Sequence, residues 1–335
     1  MCLPAEANRP LILFSATMAC SKPMFLAAQH RYHGETPCDS VGCSRVAYYR
    51  AGDRCLCGAH SRKITHRKEL PVNPDKEKNL LALLDDRHQR VQRVGVYNKE
   101  HGRKGKVVLS KLLMRRQPEH MDGYLKVFPN FRHGHRRDGY GCPALSPMSL
   151  GPVHHGQPGL SPAKNIENMH QANKVFREDI DPATGDPTQA FFALQRAMYE
   201  SETPMRHKPK TFADFKKKEK HGRRPNAPEY SVWRDATGTP QKFTYIESRQ
   251  FYCTFYERLA KPTYEFRYLQ ELIREGVNLQ IIGYDAYMPE DGDIEKCYLD
   301  ASRPFGHELV LYTMLVFPAE EYPWKKHCTF ALPDE

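Results

Sequence analysis

Residues 165–176 read NIENMHQANKVF, and the interpretation of the whole chain starts from them. The stretch contains neither glycine nor proline and follows a segment rich in both, so it is the first clear helix signal in mid-chain. On one helix over these residues, Glu167, Gln171 and Lys174 would share a face, with Asn168 beside them. Buried charge is costly unless it is paired or used, so this row indicates a functional site. An exposed polar stripe with a weak salt bridge is the alternative. The apolar positions that would face a core are Ile166, Met169, Ala172, Val175 and Phe176.

The spacing of Glu167, Gln171, Lys174 and Phe176 resembles the first helix motif of the NADAR, or YbiA-like, family. That family consists of N-glycosidases acting on riboflavin-pathway intermediates or on ADP-ribose attached to a base. The resemblance covers residues 123–317 and implies a YbiA-like helical domain. We therefore expect an α+β, mainly helical fold, with a small zinc-binding module before that domain. It also implies hydrolysis of a ribosyl C1′–N bond, on ADP-ribosylated nucleic acid or on a ribosylated small molecule.

The resemblance further implies roles for single residues. Glu167 would stabilise the oxocarbenium-like cation or activate water, and Asp285 would be the second acid. Gln171 would orient sugar hydroxyls. Lys174 would either neutralise a phosphate or attack C1′ as an amine, if burial lowers its pKa.

Further ligand-binding candidates lie around these catalytic residues. Arg206 suits bidentate contact with a phosphate, and a basic cap at a helix end is the alternative. Gly306 and His307 open an apolar helix whose free N–H groups suit an anion, and the family has a glycine turn in a similar place. The aromatic helix near 247 reads mainly as core. The candidates kept from it are Ser248, Arg249 and Tyr252.

Cysteine and histidine are concentrated near the N-terminus, where six of the ten cysteines lie in the first 57 residues. Cys38 and Cys43 form one pair of ligands and Cys57 with His60 a second, with a hairpin between them. Four ligands converging from two loops suit a closed, structural zinc site. Cys55 is a spare ligand candidate, and ordinary buried cysteines are the alternative.

The formal net charge of +10 favours anionic partners, either nucleic acid or an ADP-ribose-type ligand. Basic stretches at 61–68 and 216–224 are either phosphate contacts or solvated loops. The alternative function is therefore a non-catalytic, zinc-containing nucleic-acid-binding protein. A zinc knuckle ahead of a proline-rich domain also resembles uncharacterised proteins of large DNA viruses.

No apolar run reaches the length of a membrane span. Residues 11–20 could pass for a short signal segment, but a thiolate metal site suits a reducing compartment, so we expect a cytoplasmic or nuclear protein that is not secreted. The oligomeric state stays open. The expected organisation is a leader at 1–30, the zinc module at 31–70, a basic connecting region at 71–122, the helical domain at 123–317 and a tail at 318–335.

Periodicity and breaker residues also predict individual elements. The predicted helices are 75–93, 187–199, one from about 247, 264–274 and one from 307. The predicted strands or short apolar elements are 107–114, 123–128 and 278–284, the last of which delivers Asp285 at its end.

Overall fold

The computed structural model describes residues 75–113, 118–207 and 228–329, together with 30–31, 37–41, 43, 47, 49–51, 54–56 and 332. Within them the fold mixes helices and strands around a parallel sheet. Near the N-terminus, a small antiparallel sheet consists of β1 (His30–Arg31), β2 (Tyr49–Ala51) and β3 (Arg54–Leu56). A hairpin in this region was expected from the sequence.

The central sheet has the strand order β4-β10-β5-β6, and each neighbouring pair is parallel. Every residue of β10 is buried, as expected for an inner parallel strand covered on both faces. The predicted strands at 123–128 and 278–284 are confirmed. The bounds are β4 (Val107–Lys111), β5 (Tyr124–Phe128), β6 (Tyr140–Gly141) and β10 (Asn278–Gly283).

Helix α1 (Lys76–Glu100) continues seven residues past the predicted end at 93. It packs on the sheet where glycines let the backbones approach: a side chain at Gly95 would meet Val277, and Gly276, with φ +85°, leaves no room beside the Gly95 carbonyl. Because β4 pairs with β10, the stretch 71–122 is not merely a connecting region; its strand belongs to the same sheet as the helical domain.

A second, antiparallel sheet packs beside the short helix of the 165–176 stretch. The helix α2 (Ile166–Ala172) ends early, and Lys174 lies on β7, where it pairs with Ser231 of β8. The prediction of one helix through Phe176 is therefore wrong, although all five of its apolar positions are buried. The remaining bounds are β7 (Lys174–Val175), β8 (Tyr230–Arg234), β9 (Pro240–Phe243) and α3 (Gln189–Glu200).

One helix contributes several aromatic side chains to the core, and buried aliphatic residues of the sheet and the other helices fill the rest. On α4, Phe251, Phe255 and Tyr256 are buried, and the Phe251 ring stacks on Trp233 with 4.2 Å between centroids. The interpretation of this helix as core is confirmed. Among the described helices, none is both long enough and apolar enough to cross a membrane. The neighbouring bounds are α4 (Glu247–Ala260), α5 (Tyr264–Arg274), α6 (Ile294–Leu299) and α7 (His307–Val316).

The C-terminal segment packs against α4 and does not extend as the expected tail. Trp324, on α8 (Pro323–Lys326), is 1% exposed, and its indole N–H donates to the Glu257 carboxylate at 2.7 Å. Lys261 and Lys325 pair with the same carboxylate. Residues 318–329 are therefore part of the fold.

Gly105 provides a test of how α5, its following turn and β4 fit together. A Cβ at this position would overlap the carbonyl oxygen of Val277, which is backbone and cannot rotate away. We expect Gly105→Ala to lower the free energy of unfolding by about 1–3 kcal/mol, the usual cost of overpacking. Gly134→Ala is the control, because its new Cβ would meet only the Pro143 ring at 3.2 Å. Equal urea midpoints for the two variants would contradict this packing.

Candidate active site

The Glu167 carboxylate lies in the first turn of α2 and is almost completely buried. Its side chain is 10% exposed, and Oε1 accepts hydrogen bonds from Gln171 Nε2 and Arg206 Nε, both at 3.2 Å. The helix is capped by the Asn165 side chain, which accepts from the Asn168 N–H at 2.9 Å. Oε2 receives no hydrogen bond from a described residue, so one oxygen of this buried carboxylate stays open to a ligand.

Lys174 reaches the same site from a different element. The chain leaves α2 at Asn173, whose side-chain oxygen accepts from Gln195 Nε2 at 2.9 Å and from the Tyr199 hydroxyl at 3.0 Å. Burial lowers the pKa of Lys174 to about 8; the charges of Glu167 and Asp285 raise it and that of Arg206 lowers it. The amine is therefore partly neutral near physiological pH, which fits the expectation that burial would lower its pKa.

Asn168 has a structural use in this site. It is completely buried; its amide donates to the carbonyls of Ser201 and Thr203 at 2.8 and 3.2 Å, and its oxygen accepts from the Met205 N–H at 2.7 Å. These bonds fix the segment that carries Arg206 against α2. Asn168, predicted to bind ligand, instead positions a neighbour that can.

The end of β10 and the start of α7 form the other half of the site. A Cβ at Gly306 would lie 2.9 Å from Glu308 Oε2 and 3.7 Å from Asp285 Oδ2, so the two carboxyl groups flank this glycine. A Cβ at Gly283 would overlap the Glu308 side chain. Glu308 is 1% exposed, its Oε2 receives no hydrogen bond from the residues that the structure describes, and His307 Nδ1 lies 3.3 Å from that oxygen.

Tyr252 connects the two halves electrostatically. Burial raises the pKa of its hydroxyl well above the usual value, and the negative charges of Glu167 and Glu308 add to that rise. The His170 ring lies 4.8 Å from the Tyr252 ring, and burial, followed by the charge of Lys174, lowers the pKa of His170. Both side chains are thus neutral at physiological pH.

Ser248 and Arg249, two further candidates, are engaged elsewhere in the fold. The Ser248 hydroxyl donates to the Tyr245 carbonyl at 2.9 Å. Arg249 donates to four backbone carbonyls and so fixes the chain between α6 and α7. Those carbonyls belong to Cys297, Tyr298, Asp300 and Arg303.

The structure therefore brings together most of the predicted catalytic group, and it adds residues that the sequence did not single out. The additions are Glu308, Gly283 and His170. A signal for Glu308 was present, because it is the only charged residue within the apolar run ELVLYTMLV. Gly283 gave no such signal, since a glycine at a strand end is common for other reasons.

The predicted zinc ligands are only partly covered. Cys38 is buried and Cys43 is half-buried, while Cys57 and His60 lie outside the described residues. No group of three or more His, Cys, Asp or Glu within the described part could hold a metal ion. Cys55 lies next to Asp39, the residue that follows Cys38, because the Asp39 N–H donates to the Cys55 carbonyl at 2.8 Å. The zinc site stays a prediction.

The chain matches no protein-family model, and no curated protein and no solved structure is significantly similar to it.

Proposed function

We propose that the protein is an N-glycosidase that hydrolyses a ribosyl C1′–N bond. The observation that carries this proposal is the buried Glu167 carboxylate beside a half-buried Lys174 whose pKa is lowered to about 8. An open carboxylate oxygen can stabilise positive charge at C1′, and a partly neutral amine can attack it. The resemblance to the NADAR family supports the same reaction, and a YbiA-like fold for the helical domain is part of the proposal.

The chemistry can be written around these residues. The lone pair of Lys174 Nζ forms a bond to C1′ as the C1′–N bond breaks, and the departing electron pair stays on the base nitrogen, which takes a proton from water beside the exposed Asp285 carboxylate. The Nζ of this adduct then loses one proton to solvent and a second to the ring oxygen as the bond between C1′ and that oxygen breaks, which leaves an open-chain imine. Water then adds to the imine carbon, releasing the amine and a C1′ aldehyde that closes to the free sugar. Glu167 stabilises the positive charge that develops at C1′.

The surroundings suit an ADP-ribose-type ligand. The Arg206 side chain is 58% exposed and uses Nε for Glu167, which leaves its terminal nitrogens for a phosphate. Asp285 is exposed at the end of β10, where a base can leave towards solvent. Gln171, half-buried beside Glu167, can orient a sugar hydroxyl.

Replacing Glu167 by glutamine tests the carboxylate. The change keeps the shape but removes the negative charge, so we expect kcat to fall by about 100-fold or more. The assay uses release of the base from an ADP-ribosylated oligonucleotide and from a ribosylamino-pyrimidine phosphate. Glu200→Gln, at the exposed end of α3, is the matched control and should keep full activity. Equal rates for the two variants would end the proposal for Glu167.

The titration of Lys174 gives a second test. Only the neutral amine attacks, so kcat should rise with pH and level off above about 8, the pKa of Lys174. Borohydride added during turnover should reduce the imine to a stable adduct on the peptide that contains Lys174, detected by mass spectrometry. Lys174→Arg should give no adduct, whereas Lys164→Arg, at an exposed lysine, should give the wild-type amount. Turnover without any adduct would instead favour direct attack by water.

Glu308 is tested by its neutral isostere. Its Oε2 receives no hydrogen bond within the described part of the chain and can accept one from the substrate, so Glu308→Gln should lower kcat/KM by about tenfold. The melting temperature should stay near that of the wild type, since the side chain keeps its volume. The exposed Glu320→Gln is the control. Unchanged kinetics in Glu308→Gln would remove this residue from the site.

A further inference from the structure

Exposed apolar side chains are concentrated at one edge of the central sheet. Among the residues that the structure describes, eleven large apolar side chains are exposed, and four of them lie beyond the carboxyl ends of β4, β5 and β10. Met288 belongs to this group because its sulfur accepts from the Leu109 N–H of β4 at 3.0 Å. Grouped apolar exposure of this kind marks an interaction surface. The four are Leu113, Phe131, Tyr284 and Met288.

Backbone contacts at the strand ends bring these side chains together. The Leu112 N–H donates to the Gly283 carbonyl at 2.7 Å, so β4 ends beside β10. On the other side of β10, the Asn130 amide donates to the Ile282 carbonyl at 3.2 Å, so the chain after β5 stays beside it. Neighbouring strands lie about 4.8 Å apart, so the three strand ends span about 10 Å. The exposed apolar side chains therefore form one surface.

A tight turn after β5 presents an aromatic ring and a guanidinium side by side. The His133 N–H donates to the Asn130 carbonyl at 3.0 Å, which closes the turn and places Phe131 and Arg132 at its two central positions. The His133 ring lies 6.2 Å from the Tyr284 ring, so the turn adjoins the end of β10. Phe131 is 47% exposed and Tyr284 37% exposed. Two aromatic rings and one guanidinium thus face solvent from adjacent strand ends.

The charges at this edge favour an anionic partner. Lys111, at the end of β4, and Arg132 are both exposed, and neither forms an ion pair with a residue in the described ranges. The carboxylate at the end of β10, Asp285, lies towards Gly306 and the candidate active site. Rings on which bases can stack, beside cations that can contact phosphates, are the two parts of a surface for single-stranded nucleic acid.

Two other occupants suit the surface less well. The bases of a duplex are already stacked on one another, so they are not available to exposed rings. A second copy of this chain carries the same net charge of +10 and would bring like charges together.

We propose that the carboxyl edge of the central sheet binds single-stranded nucleic acid. Its bases stack on Phe131 and Tyr284. Its phosphates contact Arg132 and Lys111. In open parallel sheets, ligands commonly bind beyond the carboxyl ends of the strands. Because Tyr284 directly precedes Asp285, a strand bound here continues into the candidate active site. In that respect the inference rests on the proposed function, and it selects nucleic acid over the ribosylated small molecule as the substrate.

The first test measures binding of the full chain to a labelled, unmodified single-stranded DNA of about 12 nucleotides by fluorescence anisotropy. Phe131→Ala should raise the Kd by about tenfold, since the stacking of one base is lost. Tyr97→Ala is the matched control and should change the Kd by no more than about twofold. The Tyr97 ring is similarly exposed, but it lies on α1 near Val277, at the opposite edge of the sheet. Equal weakening in both variants, or no binding by the wild type, overturns the proposal.

The salt dependence tests the phosphate contact. Each phosphate contact on a single strand contributes about 0.7 to the slope of log Kd against log salt concentration, so Arg132→Gln should lower the slope by about that amount. Arg103→Gln, exposed before β4 at the opposite edge, should keep the wild-type slope. The same slope in Arg132→Gln as in the wild type would contradict the contact.

Tyr284→Ala examines the second ring independently and should also raise the Kd by about tenfold. A wild-type Kd in this variant would exclude Tyr284 from the surface and so contradict stacking at the end of β10. Melting temperatures near that of the wild type show that each variant is folded. If Tyr284→Ala does not fold, Phe131→Ala decides the question.

The alternative occupants give different results. A duplex of the same sequence should bind at least about fivefold more weakly than the single strand, because its bases cannot stack on the rings. Tighter binding of the duplex would overturn the proposal. Light scattering that shows a wild-type dimer, dissociated by Phe131→Ala, would assign the surface to a second copy of the chain instead.

The probe is an unmodified strand, so its binding does not depend on turnover. Binding of the strand without turnover of either ribosyl substrate would end the glycosidase proposal and leave this surface in place. Turnover of the ribosylamino-pyrimidine phosphate without binding of the strand would do the reverse.

Discussion

The buried hydrogen bonds to Asn173 determine the geometry of the candidate active site. Gln195 and Tyr199 of α3 both donate to its side-chain oxygen. Asn173 lies between the end of α2 and the start of β7, where the chain changes from helix to strand. Without that change of direction, Lys174 would lie on a helix and not on a strand beside β8. The position of the amine thus depends on a neutral amide, which carries none of the chemistry itself.

The charged residues of the site influence the pKa values of Lys174 and Tyr252. The charges of Glu167, Arg206 and Asp285 influence the pKa of Lys174. The charges of Glu167 and Glu308 influence the pKa of Tyr252. Because Lys174 is half-buried and Tyr252 is buried, nearby charges influence them more than they would influence groups at the surface. The pKa values of Lys174 and Tyr252 therefore depend on the charges of these neighbours as well as on burial.

Local sequence patterns were sufficient where burial follows a simple period. The strands at 123–128 and 278–284 and the helix Tyr264–Arg274 were predicted correctly, because alternation and clear stop signals define them. The prediction of one helix over 165–176 failed for a non-local reason. The apolar residues after α2 keep the spacing of a helix, but they form a strand because they pair with β8. Strand pairing over more than fifty residues cannot be read from a local window.

Among site residues, types with a chemical signature were easier to find than those whose role depends on packing. Glu167 and Lys174 were singled out from a motif. Arg249 looked like a ligand-binding residue, but its partners are backbone carbonyls between α6 and α7, which no pattern near 249 reveals. Glu308 stands out in the sequence as the one charge in an apolar run, but its place in the site follows only from the fold, in which β10 ends against the first turn of α7.

The fit between Gly283 and Glu308 has an evolutionary consequence. The glutamate occupies the volume that a methyl group on the strand would need. Any relative carrying a larger residue at position 283 must shorten or redirect the one at 308, and the two positions should vary as a linked pair. A larger residue at position 283 alone would displace the Glu308 carboxylate from its place beside Gly306, so any constraint on the glutamate extends to the glycine.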